Sequence, residues 1–402
     1  MRLRPATADD VATVVGWIDS EAAMVQWSGP GFAWPLTTDQ VLARQEDPGA
    51  VLLVAEDAAG AVQALARVTE RPERAARIGW VVVDPARRGS GIGRAFLPAI
   101  IDACFATGAE RLNLGVLRHN TAARRLYHRN GFTPTGEVTH PMVAGQTWDC
   151  IEMALTRPDL IEGYPEFSHP RLAAAYDPLD PDRSDLNQYL GIARELAARS
   201  VLDVGCGTGT FGSLLAGAGF AVTGVDPASA SLEVARRKPH ADAVRWVLGQ
   251  AADALPLQVD LVTMTANVAQ VFVSDASWVA LLDACRRALR PGGHLVFETR
   301  DPSRRAWEAW TREASFWSGD VPGVGAVTTW NELVDVFEQW VTFRWTMRFD
   351  DDGEVLTSTS TLRFRPMDEL HATLVAAGFT VVDVRDAPDR PGAEWVFVAR
   401  TD

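Results

Sequence analysis

The heptapeptide Asp203-Val204-Gly205-Cys206-Gly207-Thr208-Gly209 decides the fold of the second half of this chain. It continues a short apolar run at 200–204 and leads into a helical pattern over 210–217. Alternate glycines after a strand let the backbone curl tightly, so that successive N–H groups and the following helix N-terminus converge on one point. The next apolar run, 221–225, ends at Asp226, an acid placed to take both ribose hydroxyls of a nucleoside.

A second glycine loop of different type, Arg88-Gly89-Ser90-Gly91-Ile92-Gly93-Arg94, lies in its own α/β pattern. It follows β-branched runs at 51–55, 62–68 and 77–83, separated by turn residues as in an antiparallel meander. Asp84-Pro85 stops the third run, and a helical pattern follows over 95–106, interrupted by Pro98, which is expected to bend it. Such a loop can hold a pyrophosphate or serve as a plain glycine turn. Upstream, 2–5 reads as a strand and Thr7-Ala8-Asp9-Asp10 as a helix cap. Downstream come a strand at 111–117 and a helix over 120–132 that places Asn120 and Tyr127 nearly on one face.

Two loops in two patterns point to two enzymes fused on one chain. A length of 402 residues suits two hydrophobic cores, and 47% hydrophobic with 22% charged residues is ordinary soluble composition. The division expected is a first domain at 1–157, a linker at 158–169 without either hydrophobic period, and a second domain at 170–402. The net charge of −14 is uneven: 1–157 carries 16 Arg against 17 acids, whereas 158–402 carries 22 basic residues against 35 acids. An acidic half repels phosphate backbones, so no nucleic-acid partner is expected. Cys104, Cys150, Cys206 and Cys285 lie far apart without a C-x-x-C pair, giving neither a zinc site nor a disulfide framework. With no apolar leader core at the N-terminus and no run of ~18 apolar residues, a cytoplasmic protein without a membrane partner is expected. Lys238 is the single lysine, which leaves almost no internal target for self-acetylation.

Taken together, the loop 88–94, Asn120 and Tyr127 resemble the GNAT superfamily of N-acetyltransferases over about the first 155 residues. The resemblance implies an α+β fold with a central mixed, largely antiparallel sheet. It implies that Arg88, Gly89, Gly91, Gly93 and Arg94 cradle the pyrophosphate of acetyl-CoA and that the strand around Val81 and Val83 pairs with pantetheine. Asn120 would contact the coenzyme, and Tyr127 would protonate the leaving thiolate after an amine attacks the thioester. A main-chain N–H near Val83 would hold the oxyanion. Glu56, Glu70, Asp84 and His119 border strand ends as candidates for the base or as solvated surface groups. The aromatic segment at 27–35, with Trp27, Phe32 and Trp34, resembles the acceptor-side loop of ribosomal-protein N-terminal and aminoglycoside-type acetyltransferases, and reads equally as a hydrophobic plug.

Beyond 170 the pattern resembles the class I S-adenosylmethionine-dependent methyltransferases, a Rossmann-like fold. Strands at 200–204, 221–225, 244–248, 259–263 and 294–299, the turn Leu289-Arg290-Pro291-Gly292-Gly293, a helix at 367–377 and terminal strands at 380–384 and 394–399 carry that resemblance. It implies that Asp203, Gly205, Gly207 and Gly209 surround the methionine moiety and ribose of S-adenosylmethionine. Asp226 would take the ribose hydroxyls, and Gln250 and Ala251 the adenine edge. The methyl acceptor, a small molecule, would sit near Thr265, Asn267, Gln270, Arg300 and Asp301. Residues 207–212 also satisfy G-x-G-x-x-G, which keeps an NAD-dependent dehydrogenase as an alternative. An insertion at about 302–365 holds six of the fourteen tryptophans and a β-hairpin over 337–353 and the strand beyond. It reads as a substrate lid, a cover for the core or a homodimer surface. The bifunctional reading stands beside one in which one domain binds its cofactor without chemistry and regulates the other.

Overall fold

The computed structural model describes residues 1–143, 145–158, 163–387 and 389–402. The chain divides into two units, Met1–Ile161 and Glu162–Asp402.

In the first unit the strands are β1 (Arg2–Pro5), β2 (Ala50–Glu56), β3 (Val62–Arg71), β4 (Ala75–Val83), β5 (Arg111–Leu117), β6 (Thr133–Thr139), the short pair β7 (Met142–Val143) and β8 (Gln146–Thr147), and β9 (Cys150–Thr156). The helices are α1 (Ala8–Val15), α2 (Glu21–Ser28), α3 (Thr38–Ala43), α4 (Ile92–Ala106) and α5 (Thr121–Arg129). Seven strands form one sheet in the order β1-β2-β3-β4-β5-β9-β6. All neighbours are antiparallel except β4 and β5, which pair in parallel. Helices cover both faces. Phe96, Leu97, Ile100 and Ile101 of α4 pack with Ala76 and Ile78 on one, and Val11, Val14, Met24 and Val25 of α1 and α2 pack with Leu65 and Val82 on the other. The expected Thr7 cap is a full capping box with Asp10, a feature worth about 1 kcal/mol. α4 continues as helix through Pro98, which removes one backbone hydrogen bond.

In the second unit the strands are β10 (Ser200–Val204), β11 (Ala221–Asp226), β12 (Val244–Leu248), β13 (Val259–Met264), β14 (Leu289–Arg300), β15 (Trp317–Val321), β16 (Gly325–Phe337), β17 (Trp340–Phe349), β18 (Val355–Arg363), β19 (Phe379–Asp386) and β20 (Glu394–Thr401). The helices are α6 (Pro165–Ser168), α7 (Pro170–Leu179), α8 (Leu186–Glu195), α9 (Thr210–Gly217), α10 (Ser229–Ala235), α11 (Asp275–Ala288), α12 (Arg312–Ser315) and α13 (Met367–Ala376). The main sheet runs β12-β11-β10-β13-β14-β20-β19, parallel through β14 with an antiparallel terminal pair. Apolar cores lie on both faces, as an α/β sheet requires. One is braced by Phe297 stacked on Phe397 at 5.0 Å, a pair worth about 0.5–1.5 kcal/mol beyond its burial. This is the Rossmann-like fold the resemblance implied.

Three expectations need correction. Residues 289–293, read as a turn, are the first part of β14, where the register against β13 skips between Val259 and Leu261. The irregularity absorbs the glycines without ending the strand. The insertion is larger than a hairpin: β15, β16, β17 and β18 form a four-stranded antiparallel sheet in sequence order, with Val321, Val327, Met347 and Phe349 packed on Leu172 and Ala175 of α7. Finally, part of the expected linker at 158–169 belongs to the second unit. Residues 159–162 lie outside the described residues, but α6 is helical and the Tyr164 hydroxyl donates to the Thr361 carbonyl of β18 at 2.7 Å.

Candidate active sites

In the first unit, β4 and β5 pair only at Ala75, Ala76 and Arg77, against Arg111, Leu112 and Asn113. Beyond that point β5 continues against β9 while β4 keeps only β3. The edge of β4 at 79–83 that faces away from β3 therefore borders a fork inside the sheet. A bulge sets this up. The β3 register skips between Leu65 and Arg67, and Trp80 takes φ +54°, unusual for a bulky side chain. Side-chain parity inverts there: Ala76 and Ile78 face the α4 core, then Val81 and Val83 do so again, while Trp80 and Val82 face α2. The Trp27 indole locks the bulge by donating to the Trp80 carbonyl at 2.5 Å. Phe32 lies 5.1 Å from the Trp80 ring and Arg67 stacks on it at 4.7 Å. The aromatic segment is thus both a plug and the wall beside the fork, and Trp34 is left exposed.

The loop 88–94 follows β4 directly. Arg88, Gly89, Gly91 and Arg94 are exposed, and a Cβ on Gly89 or Gly91 would meet nothing within 4 Å. Gly91 precedes α4 with φ +90° and no side chain caps the helix, so its first N–H groups face open space. Gly93 is where α4 touches α5: a Cβ there would lie 3.4 Å from Leu126 and 3.9 Å from Val83. Tyr127, on the next position of α5, is buried against Phe132, and burial pushes its phenol well above the usual range. Asn120 caps α5, its side-chain oxygen accepting from the Ala123 N–H at 3.2 Å. Among the acids proposed as base, Glu56 pairs with Arg4 and Asp84 accepts from the Ala86 N–H. His119 is exposed, with its ring edge on Trp148.

Sequence reasoning missed the crotch of the fork. Arg77 donates through both terminal nitrogens to Glu152, at 2.8 and 2.9 Å, and Cys150 lies beside them. A Cβ on Gly115 would sit 3.0–3.1 Å from all three side chains, so the absence of a side chain there makes room for the pair. The signal was hidden because β9 had not been recognised.

In the second unit the turn at 205–209 is far more tightly held. A Cβ on Gly205 would come within 2.7 Å of Val268, and one on Gly209 within 2.6 Å of Ala235 and Trp246. A Cβ on Gly207, by contrast, would meet nothing within 4 Å, which leaves the crest of the turn open. Asp203 is 1% exposed; its Oδ1 accepts from the Thr263 hydroxyl at 2.9 Å, while Oδ2 has no partner among the described residues. Burial raises this carboxyl to about 7. Asp226 accepts from the Gly207 N–H and the Ala228 N–H, both at 2.8 Å. Burial raises Asp226 too, and its oxygens retain lone pairs for further donors.

Gln250 heads a short turn closed by Asp253, which accepts its N–H at 2.7 Å. Ala251 turns its methyl into the core. Leu248, at the end of β12 and in register with Asp226, is exposed.

At the ends of β13 and β14 the acceptor-side residues are joined in one buried network. Ala266 and Asn267 both have positive φ, and Asn267 donates through its N–H to Glu298 and through its amide to Glu394, each at 3.1 Å. Tyr189 donates to the other oxygen of Glu298, and Arg300 donates to Gln270 at 2.9 Å. Thr265 is also buried, whereas Asp301 caps the turn at 302–304. Arg365, buried, reaches the carbonyls of Ala269 and Phe272 and fixes this loop. Neither Tyr189, Glu298, Glu394 nor Arg365 was singled out by the sequence. They come from α8, β14, β20 and the link between β18 and α13, and only the folded sheet assembles them.

Comparison with known proteins agrees with this division. Residues 21–132 match the acetyltransferase (GNAT) family and residues 201–293 match a methyltransferase domain. A ubiquinone biosynthesis O-methyltransferase of Idiomarina loihiensis is 37% identical over 119 residues, covering 28% of this chain and 46% of the relative. The cypemycin N-terminal methyltransferase of a Streptomyces species is 36% identical over 111 residues, 27% of this chain and 45% of the relative. The chain thus spans about half the length of the curated relatives it matches. A solved S-adenosylmethionine-dependent methyltransferase from Clostridium acetobutylicum aligns at 15% identity and TM-score 0.48 over 57% of this chain and 98% of its own. A spermidine N-acetyltransferase from Vibrio cholerae, solved with CoA and spermine, aligns at 20% identity and TM-score 0.35 over 39% and 94%. No helix among the described residues is long and apolar enough to cross a membrane. The chain carries an acetyltransferase domain of the GNAT family followed by a methyltransferase domain.

Proposed function

We propose that the chain is a bifunctional enzyme, in which residues 1–157 transfer an acetyl group from acetyl-CoA to an amine and residues 170–402 transfer a methyl group from S-adenosylmethionine to a small-molecule acceptor. The observation that carries this reading is the pair of open cradles, one per unit, each fitted to one cofactor by charge. The uncapped start of α4, with open space above Gly89 and Gly91 and with Arg88 and Arg94 beside it, suits a pyrophosphate. The Asp203 oxygen without a partner among the described residues and the open crest at Gly207 suit the cationic, hydroxyl-rich S-adenosylmethionine.

In the first domain the bulged edge of β4 at Val81 and Val83 would receive the pantetheine arm, and its free N–H groups would hold the developing oxyanion. Acetyl-CoA supplies the activated acyl group. Tyr127, kept protonated by burial, would return a proton to the departing sulfur, and Asn120 would anchor the coenzyme from the cap of α5. In the second domain S-adenosylmethionine supplies an electrophilic methyl group. Asp203 with Gly205, Gly207 and Gly209 would hold the methionine moiety, Asp226 the ribose, and Gln250 and the Ala251 backbone the adenine. The insertion closing over the strand ends would align the acceptor.

Calorimetric titration of the full chain with acetyl-CoA, S-adenosylmethionine and NAD tests this reading. One saturable site for each of the first two is expected. NAD binding without S-adenosylmethionine would overturn the second half. Cofactor binding without transfer to any member of an amine and hydroxyl panel would make that domain a regulatory module.

A further inference from the structure

Residues 207–212 satisfy G-x-G-x-x-G, and a turn of that pattern ahead of a helix can take the pyrophosphate of a dinucleotide. The second unit has the required parts. β10 ends at Val204, Gly209 takes φ +77°, and α9 starts at Thr210 with no side-chain bond capping it. The first N–H groups of such a helix have no partner within it and favour negative charge. The glycine pattern alone therefore does not separate an anionic ligand from the cationic S-adenosylmethionine.

A carboxylate of the chain itself stands at that helix start. Asp177, in the last turn of α7, accepts through one oxygen from the Thr208 hydroxyl at 2.7 Å and from the Thr210 hydroxyl at 3.2 Å. These threonines flank Gly209, so the carboxylate lies against the first residue of α9. Its other oxygen pairs with the Lys238 ammonium at 2.6 Å. The two side chains are only 22% and 19% exposed, so both charges act with little screening by water. Lys238 is also the single lysine of the chain. The helix that carries Asp177 is firmly seated. Leu172 and Ala175 of α7 pack on Val321, Val327, Met347 and Phe349 of the insertion, and Arg171 lies over the Phe349 ring at 3.6 Å. Just before it, the Phe167 carbonyl of α6 accepts from the Ser231 hydroxyl of α10 at 2.8 Å.

We propose that Asp177 is a specificity-determining residue of this cofactor turn: it takes the place at the start of α9 that a diphosphate would occupy, and so reserves a dinucleotide-type turn for S-adenosylmethionine, a role that rests on the methyltransferase reading of the domain. The parts of a phosphate site are all present. An uncapped helix start, two threonine hydroxyls and a lysine ammonium surround the turn, and each can serve a phosphate oxygen. One carboxylate engages the hydroxyls and the ammonium together. The helix start attracts that carboxylate, and the carboxylate repels a second anion from the same place. Lys238 keeps the pair neutral, so no unpaired charge is left at the mouth of the cradle. Discrimination here works by exclusion of the wrong ligand rather than by an added contact to the right one.

Adenosine and ADP, each titrated as a competitor of S-adenosylmethionine on the full chain, read this role. Their difference isolates the diphosphate, and competition confines the reading to the second cradle. In the wild type adenosine should compete at least as well as ADP. Asp177→Asn keeps the shape and an oxygen for the two threonines while freeing the Lys238 ammonium. The ratio of the two inhibition constants should then move toward ADP by at least about ten-fold, and adding Lys238→Met should bring it back. Asp177→Ser reads the same ratio if Asp177→Asn fails to fold. A residue that merely staples α7 to the turn would weaken S-adenosylmethionine binding without moving the ratio, and that result overturns the proposal. So does a wild type that already prefers ADP. Failure of the wild type to bind S-adenosylmethionine would instead overturn the methyltransferase reading.

Discussion

The two glycine loops look alike in sequence and are opposite in physical design. The loop at 88–94 is exposed and offers N–H groups and arginines to an anion. The loop at 203–209 is wedged against Val268, Ala235 and Trp246 and sits between two buried carboxylates whose protonation burial disturbs. A site for an anion can be built from backbone at little cost, because helix N-terminal N–H groups are unsatisfied anyway. A site for a cation and hydroxyls needs acids, and taking them out of water is costly until the ligand arrives. The first loop should therefore tolerate change and respond to salt, whereas the second should be brittle and respond to pH.

The largest break in that comparison is expected at Gly209. With φ +77° and only 2.6 Å to Ala235 and Trp246, Gly209→Ala combines left-handed strain with overpacking, together roughly 2–5 kcal/mol. The unfolding transition of the C-terminal unit should fall, and S-adenosylmethionine affinity should drop on the order of a hundred-fold, while acetyl-CoA titrates as in the wild type. Near-normal S-adenosylmethionine binding would show that the turn is not the cradle.

Chemistry in the first unit gives the next effect. Tyr127→Phe removes one hydroxyl from a buried ring and leaves the core contacts with Phe132 in place. Acetyl transfer to an amine the wild type accepts should slow by about 10²-fold, with acetyl-CoA affinity unchanged. An unaltered kcat across the pH profile would remove Tyr127 from the mechanism.

How far these sites were legible in the sequence follows the same contrast. Both loops, Asp203 and Asp226 were readable because a short local pattern, strand then glycines then helix, specifies them completely. Most of the main strands in both units, though not β6 and β9, followed from apolar runs bounded by turns. The fork in the first sheet was not readable, since it depends on a bulge at Trp80 and Val81 and on β9, which returns from 150–156 to lie beside β5. The segment around α6 was lost for a related reason: the helix has four residues and no hydrophobic period, so it read as linker until the Tyr164 contact with Thr361 of β18 was in place. The run at 289–293 misled because proline and glycines normally end a strand, yet an irregular edge of β14 accommodates them.

Asp203→Asn sharpens the comparison through pH. Its carboxyl stands at about 7 in the folded chain against an ordinary 3.8, so the native unit holds more protons than the unfolded chain between those values. Stability of the cofactor-free C-terminal unit should accordingly fall as pH rises from about 4 to 7 and then level off. S-adenosylmethionine affinity should run the other way, rising between about pH 6 and 7.5 as the carboxylate forms. In Asp203→Asn both slopes should flatten, and affinity at pH 7.5 should drop about ten-fold. Thermal melts and calorimetry at four pH values check this. A wild-type affinity independent of pH would place the Asp203 oxygen outside the ligand's reach.

Gly91→Ala should be the mildest, and it is the substitution that tests whether tightness rather than glycine content separates the loops. Gly91 has φ +90°, as unfavourable for alanine as Gly209, but a Cβ there meets nothing within 4 Å. Only the backbone strain remains, about 1–2 kcal/mol, and the added methyl projects into the space where a pyrophosphate would approach. Acetyl-CoA affinity should fall less than about ten-fold and recover partly at low salt, because the N–H groups of α4 and the arginines still attract the anion across a Debye length of ~10 Å at 0.1 M. The N-terminal unit should melt nearly as the wild type does. If Gly91→Ala instead costs as much as Gly209→Ala, the packing around the turn is not what distinguishes the two sites, and left-handed backbone geometry alone sets the fragility of both.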